Sequence, residues 1–399
     1  MPDWKDVFLK VATHAENHFD MLKFHLQRRL DHDPLCIMPY LGHGTAEVLH
    51  VLGRVMESND VSAAADNDAI WKNLLNIYRR FDTDEVPYAR LRVTFGDQSM
   101  EVTTNEEGFF DAQIMPSAPL PTDRIIHEVQ LELLDIPGRE NLPKITATAK
   151  VIVPPPGSQF GVISDLDDTV FQTDVLHLVK LARNTFLRNS RTRLPFEGVA
   201  AFYRALEAGT NNSYNPIFYV SSSPWNLYDL LLDFFEVRGI PIGPFFLKDL
   251  GLAEYQLIDS GHETHKLGAI NTVLALHPNL PFILIGDSGQ HDPEIYAKAA
   301  ELHPGRILAI YIRDVNPGDE RDRVILRLAD KVKVFGTEMK LVPDTVGAAE
   351  HAALKSYISE EELLTIRVER TEDSKEPEEV EKLITPETSE QLEEKQDKV

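Results

Sequence analysis

The sequence predicts an α/β protein, a largely parallel sheet with helices on both faces, preceded by a smaller antiparallel, sandwich-like β domain. Three observations carry this reading. From Pro34 to Val153 short alternating apolar runs are separated by turn residues, as in a half-buried antiparallel sheet. Pro154-Pro155-Pro156-Gly157 then interrupts both helix and strand. Beyond it, apolar strand-like runs alternate with helical stripes, the pattern of parallel strands joined by crossover helices. The expected divisions are an amphipathic helix over 1–30, a β-rich domain over 31–153, an α/β domain over 154–345, and a helical then disordered acidic tail over 346–399.

In order, Trp4, Val7, Phe8, Val11, Phe19, Leu22 and Leu26 fall at near-helical spacing, with Lys23, Arg28 and Arg29 following. This helix is read as packed on its own protein in preference to a membrane surface, because amphipathic helices mostly face a core. Strands are expected at 36–40, 46–56, 89–95, 98–104, 109–114, 125–134 and 144–153, with Gly96-Asp97 and Asn105-Glu-Glu-Gly108 as turns. One helix, 66–81, carries Ile70, Trp71, Leu74, Leu75 and Tyr78 on a stripe. His43 and His50 lack partners at ligand spacing and are read as surface or packed histidines. In the α/β half the expected strands are 160–164, 217–220, 282–285 and 307–312, and the expected helices 174–187, 197–208, 225–237 and 292–301. This is a Rossmann-like layout without the Gly-rich nucleotide signatures of dinucleotide or P-loop sites.

Composition narrows the function classes. With 399 residues, 43% of them hydrophobic and 26% charged, the chain is long enough for two folded domains. No apolar run reaches the roughly 18 residues of a membrane-spanning helix, and the first residues do not read as a signal peptide. A cytoplasmic location is therefore expected, with peripheral membrane contact as its extension. The single cysteine, Cys36, permits no internal disulfide and no thiolate zinc cluster. A net charge of −24 argues against non-specific attachment to nucleic acid or to an acidic membrane by overall electrostatics, and leaves room for a local basic patch. Fifteen acidic and six basic residues lie between Ser359 and Val399, with no aromatic residue, which reads as a disordered tail.

The chemistry concentrates at the ends of the expected parallel strands, where ligands bind in open α/β sheets. Phe160-Gly-Val-Ile-Ser164 runs into Asp165, Asp167 and Asp168, followed by Thr169. Residues two apart on an extended segment point the same way, so Asp165 and Asp167 converge, and paired carboxylates attract a hard cation such as Mg²⁺. Ile217-Phe-Tyr-Val220 delivers Ser221, Ser222 and Ser223, whose hydroxyl and backbone N–H groups can hold an anion. His265-Lys266 opens the stripe Leu267, Ile270, Val273, Leu274 and offers an ammonium for a phosphoryl oxygen. Phe282-Ile-Leu-Ile285 ends in Gly286-Asp287-Ser288-Gly289, with Asp292 five residues past Asp287 as a second acidic site for the metal. Caps and turns use the same residue types, but acid, hydroxyl, lysine and acid at successive strand ends are hard to attribute to turns.

These segments resemble the four motifs of haloacid dehalogenase-like phosphohydrolases. The Asp165-Leu-Asp-Asp-Thr169 form, Tyr219-Val-Ser-Ser-Ser-Pro-Trp225 and Gly286-Asp-Ser-Gly-Gln-His-Asp-Pro293 are more narrowly similar to the catalytic domain of the actin-patch phosphatidate phosphatases. The resemblance covers about residues 155–330. It implies a haloacid dehalogenase-type fold and a Mg²⁺-dependent phosphatase converting phosphatidate to diacylglycerol and phosphate. Asp165 would be the nucleophile and Asp167 the general acid and base. Thr169, Ser221, Ser222 and Lys266 would bind phosphate. Asp165, Asp167, Asp287 and Asp292 would hold the metal.

Arg183, Arg188, Arg191 and Arg193 form a basic cluster between the first two motifs. It suits an anionic phospholipid headgroup or a bilayer surface, and equally a solvated helix face. Gly286-Asp-Ser-Gly289 also resembles the nucleophile segment of trypsin-like proteases, but it follows a parallel-type strand and nothing else supports a double β-barrel. Two alternatives stay open, a phosphatase of the same mechanism acting on a soluble phosphomonoester and a non-catalytic scaffold. Loss of Asp165 or Asp167 would be expected of the scaffold, and both are present.

Overall fold

The computed structural model describes residues 35–57, 85–121, 124–139, 141–166, 197–248, 262–315 and 317–373. The expected helices at 1–30, 66–81 and 174–187 and the last stretch of acidic tail, from residue 374, lie outside the described residues.

The first half is an eight-stranded sheet: β1 Leu35–Pro39, β2 Gly42–Gly44, β3 Leu49–Glu57, β4 Arg90–Phe95, β5 Gln98–Thr103, β6 Phe109–Ile114, β7 Ile126–Asp135 and β8 Ile145–Ile152. The order is β1-β3-β2-β8-β7-β4-β5, with β6 on β3. Every pairing is antiparallel except β2 with β8. Alternation sets the face. In β7, His127, Val129, Leu131 and Leu133 are buried while Glu128 and Gln130 are exposed, as a period of two requires. Both layers expected of a sandwich are joined in one hydrogen-bonded sheet, because the long β3 pairs with β1 and β2 along one edge and with β6 along the other.

The single strand expected over 46–56 is interrupted. Thr45 N–H donates to the Val48 carbonyl (2.8 Å), and Thr45 Oγ1 accepts from Glu47 N–H (3.1 Å), so the chain turns before β3 begins at Leu49. Gly96-Asp97 joins β4 to β5 as a two-residue hairpin, with Gly96 at φ 60°, where a side chain is disfavoured.

The second half holds a six-stranded parallel sheet, β9 Gly161–Asp165, β10 Ile217–Pro224, β11 Phe245–Lys248, β12 Phe282–Asp287, β13 Ile307–Arg313 and β14 Glu338–Val342. Its helices are α1 Val199–Ala208, α2 Tyr228–Arg238, α3 His262–Leu276, α4 Asp292–Leu302, α5 Asp319–Val332, α6 Thr345–Leu354 and α7 Glu360–Asp373. The order β11-β10-β9-β12-β13-β14 means that the chain builds outward from β9 on one side, then returns to its other side with β12. That reversal falls between β9 and β12, and in open α/β sheets ligands bind beyond the carboxyl ends of the strands at such a point.

Two apolar cores flank this sheet. One packs α1, α2, α6 and α7 on residues such as Val162, Tyr219, Ile283 and Tyr311. The other packs α3, α4 and α5 on Ile163, Phe218, Leu284 and Ile310. Successive strand residues therefore serve opposite cores, and the central strands β9, β12 and β13 are mostly apolar. Within the acidic stretch that begins at Ser359 and reads from the sequence as a disordered tail, Glu360–Asp373 is helical. Leu363 and Ile366 are buried in the first core, and Asp373 accepts a hydrogen bond from Gly198 N–H (2.8 Å).

The two halves touch through aromatic rings. Tyr40, following β1, stacks on Trp225 with centroids 4.3 Å apart and planes at 19°. The Tyr228 hydroxyl accepts from Leu41 N–H at 2.7 Å. His43 stacks on His50 and on Phe246 and meets Phe218 edge-on, so both histidines are packed groups, with His43 fully inside the contact.

Candidate active site

β9 ends in Asp165, whose neighbours in the sheet fix what stands beside it. Val220 of β10 pairs with Asp165, so Ser221 emerges one residue past it on one side. Ile285 of β12 pairs with Ser164, so Gly286-Asp287 emerges on the other. Asp165, Ser221, Asp287 and Asp292 are all fully buried, and Lys266 is 2% exposed. One oxygen from each of Asp165, Asp287 and Asp292 lies within 4.8 Å of the other two. Lys266, in the first turns of α3, spans the group. Its Nζ stands 2.8 Å from Asp165 Oδ1 and 2.6 Å from Asp292 Oδ1, and it donates to Gln290 Oε1 at 3.3 Å.

The loop after β12 is built around one carboxylate. Asp287 Oδ1 accepts the N–H groups of Gly289 (2.6 Å) and Gln290 (3.0 Å), while Asp292 Oδ2 accepts Asp287 N–H (3.2 Å). Such side-chain-to-backbone bonds make a tight turn, and they bring Asp292, at the start of α4, back over Asp287. Gly286 permits this approach. A Cβ there would lie 2.5 Å from Asp292 Oδ2 and 2.8 Å from the Tyr296 ring.

Three carboxylates and one ammonium out of water leave an excess of negative charge. Burial, and then the Asp292 charge, push the Asp287 carboxyl up to about 7, against the opposing pull of Lys266 and of the two backbone N–H groups. Burial alone would depress Lys266, yet the charges of Asp165 and Asp292 raise it well above an ordinary lysine. A divalent cation fits what remains. Asp287 Oδ2 is buried with no hydrogen-bond partner among the described residues, and an all-carboxylate donor set suits Mg²⁺ or another hard cation over a softer one.

Of the residues singled out in the sequence, Asp165, Lys266, Asp287 and Asp292 thus meet in one place. Ser221 stands at the adjacent strand end, where its Oγ accepts Ser223 N–H at 2.9 Å, and Ser222 is half-buried. Asp167, Thr169, Arg183, Arg188, Arg191 and Arg193 lie outside the described residues. Gln290, which touches Lys266, was not among the expected residues. Its place two residues before Asp292 in the loop was the available signal.

Residues 160–314 match the sequence model of the family described as phosphatidate phosphatase APP1, catalytic domain. That stretch is thus similar to an APP1-type catalytic domain. It is 31% identical over 225 residues to phosphatidate phosphatase APP1 of Saccharomyces cerevisiae, an alignment covering 53% of this chain and 37% of that protein. An uncharacterized protein of Schizosaccharomyces pombe is 29% identical over 216 residues, covering 54% of this chain and 34% of its own length. The chain spans about a third of the length of these curated relatives. Among solved structures, a carbohydrate acetylesterase from Xanthomonas citri overlaps 75% of each chain at 13% identity, with a TM-score of 0.25 too low to carry an argument. Asp165, Ser221, Lys266, Asp287 and Asp292 all fall within the matched span.

Proposed function

We propose that this protein is a Mg²⁺-dependent phosphatidate phosphatase of the haloacid dehalogenase-like type, releasing phosphate and leaving diacylglycerol. The observation that carries this reading is the meeting of Asp165, Asp287 and Asp292 around Lys266 in an APP1-type domain. Phosphoryl transfer needs positioning and charge neutralisation more than covalent chemistry from the protein, and these groups supply both.

In the proposed reaction an oxygen of Asp165 attacks phosphorus. The bond from phosphorus to the lipid oxygen breaks, and Asp167 gives its proton to the departing alkoxide. A water molecule, losing a proton to Asp167, then attacks the aspartyl-phosphate and releases inorganic phosphate. Ser221 and Ser222, with Thr169, hold phosphoryl oxygens, and Lys266, already paired with Asp165 and Asp292, offsets their charge. Asp165, Asp287 and Asp292, joined by Asp167, would hold Mg²⁺, which screens the repulsion between carboxylate and phosphate when bound. The lipid substrate is the finer part of the proposal, supported by the name of the yeast relative, and peripheral contact with an anionic bilayer through Arg183, Arg188, Arg191 and Arg193 goes with it. Among the described residues no helix is long and apolar enough to cross a membrane.

The test is phosphate release from phosphatidate vesicles and from a panel of soluble phosphomonoesters, with Mg²⁺ or with chelator. Lipid hydrolysis that needs Mg²⁺ and disappears in Asp165→Asn is expected. Turnover confined to soluble esters would remove the lipid and keep the chemistry, and full activity of Asp165→Asn would remove both.

A further inference from the structure

We propose that Arg321, on α5, is a positioning residue for Asp287, acting through the peptide units of the loop that follows β12. The inference rests on reading Asp165, Asp287 and Asp292 as a metal site. Arg321 touches none of them. Its Nε donates to the Ser288 carbonyl at 2.9 Å, its Nη2 donates to the Gln290 carbonyl, and the guanidinium also grips the Glu294 carboxylate, with Nη2 to Oε2 at 3.0 Å. Glu294 lies two residues past Asp292, on the first turn of α4.

The geometry makes a relay. The Ser288 carbonyl and the Gly289 N–H belong to one planar peptide unit, so holding the oxygen fixes the direction of the N–H. That N–H donates to Asp287 Oδ1 at 2.6 Å. A cation on the carbonyl also polarises the amide, strengthening the bond on its far side. The grip on Gln290 works on the same loop, since Gln290 N–H is the second donor to Asp287 Oδ1 and Gln290 Oε1 accepts from Lys266. With Oδ1 fixed from behind, Oδ2 has no hydrogen-bond partner among the described residues and is free to serve as a ligand. One planar fork thus ties two loop carbonyls and the start of the helix bearing Asp292. Lysine, a point charge, could satisfy only part of this set. Arg321 also lies beyond residue 314, where the match to the APP1 family model ends.

The test uses the full chain and Mn²⁺, an oxygen-seeking ion that is paramagnetic, with binding read from loss of the free-ion electron paramagnetic resonance signal. Arg321→Gln should bind Mn²⁺ about 10–100-fold more weakly than the unaltered chain, the usual effect of losing a group that orients a metal ligand. Arg321→Lys should recover no more than a small part of that loss. The unfolding midpoint without metal should stay close to that of the unaltered chain in Arg321→Lys, which preserves the charge and guards against misfolding of the glutamine variant. Affinity within about twofold of the unaltered chain in both variants would overturn the proposal, as would lower metal-free stability with unchanged affinity. An unaltered chain that takes up no Mn²⁺ would overturn the metal reading itself and this inference with it.

Discussion

Replacing Asp287 with Asn should stabilise the metal-free protein and abolish its response to metal, two effects of opposite sign from one atom exchange. Asp287 is fully buried, and its carboxyl is pushed from the ordinary 3.8 up to about 7. An acid whose folded value lies above its unfolded one binds more protons when folded. Stability is therefore lost as pH rises between the two values, and the loss is complete above the upper one. At ~1.36 kcal/mol for each pH unit, a gap from 3.8 to about 7 costs the folded state ~4 kcal/mol at about pH 8. Asn keeps an oxygen for the Gly289 and Gln290 N–H groups and turns an amide toward Asp165 and Asp292 in place of a third charge. Allowing for the amide's own desolvation, a net gain of ~2–4 kcal/mol is expected in chelator. Added Mg²⁺ should stabilise the unaltered chain by mass action and leave Asp287→Asn where it was. Urea unfolding at about pH 8, with chelator or with Mg²⁺, measures both. A variant less stable than its parent in chelator, or one that gains as much from Mg²⁺, would refute the charge argument.

Gly286→Ala should cost more than ~2 kcal/mol and weaken Mg²⁺ binding, because its methyl group would displace Asp292 and Tyr296; calorimetric titration with Mg²⁺ checks it. Burial first, then neighbouring His50 and His277, hold His43 down at about 3; burial and Arg306 hold His277 at about 4. Bases with depressed folded values stabilise fully above the unfolded 6.5 and less as pH falls toward the folded values. Each should therefore withdraw ~2 kcal/mol by about pH 5, and His43→Asn should flatten the fall in unfolding free energy between about pH 7 and pH 5. Tyr40→Ala should destabilise by ~3–5 kcal/mol, and a double-mutant cycle with Trp225→Ala should return a coupling of ~0.5–1.5 kcal/mol, read by urea unfolding; independent effects would contradict the stacking.

Much of this architecture was legible because the residues that build it obey simple periods. The strands of the first half announce themselves by alternation, as in Val129, Leu131 and Leu133, and β9 and β12 of the second by apolar runs ending in an acid. Short pieces were not legible. β2 is three residues and β11 four, below the length at which a period can be seen, and their pairing is decided by neighbours distant in sequence. β14 was also absent from the sequence reading, and so was α5, although Ile325, Leu328, Ala329 and Val332 do recur at helical spacing. Asp165, Lys266, Asp287 and Asp292 could be named in advance because they stand at strand ends and helix starts. Gln290 and Arg321 could not, since a loop amide and a helix-surface arginine acquire meaning only from what folds against them.

The span of 160–314 that aligns with the APP1 catalytic family is shorter than what must fold around it. β14, α6 and α7 come afterwards, yet Ala349, Ala352 and Ile366 close over one face of the sheet, and β14 shields the edge of β13. A piece excised at those limits would present a bare strand edge and an uncovered apolar face, both of which invite aggregation. An inert preparation of that piece would therefore report a missing roof, and only the longer chain can be asked about catalysis.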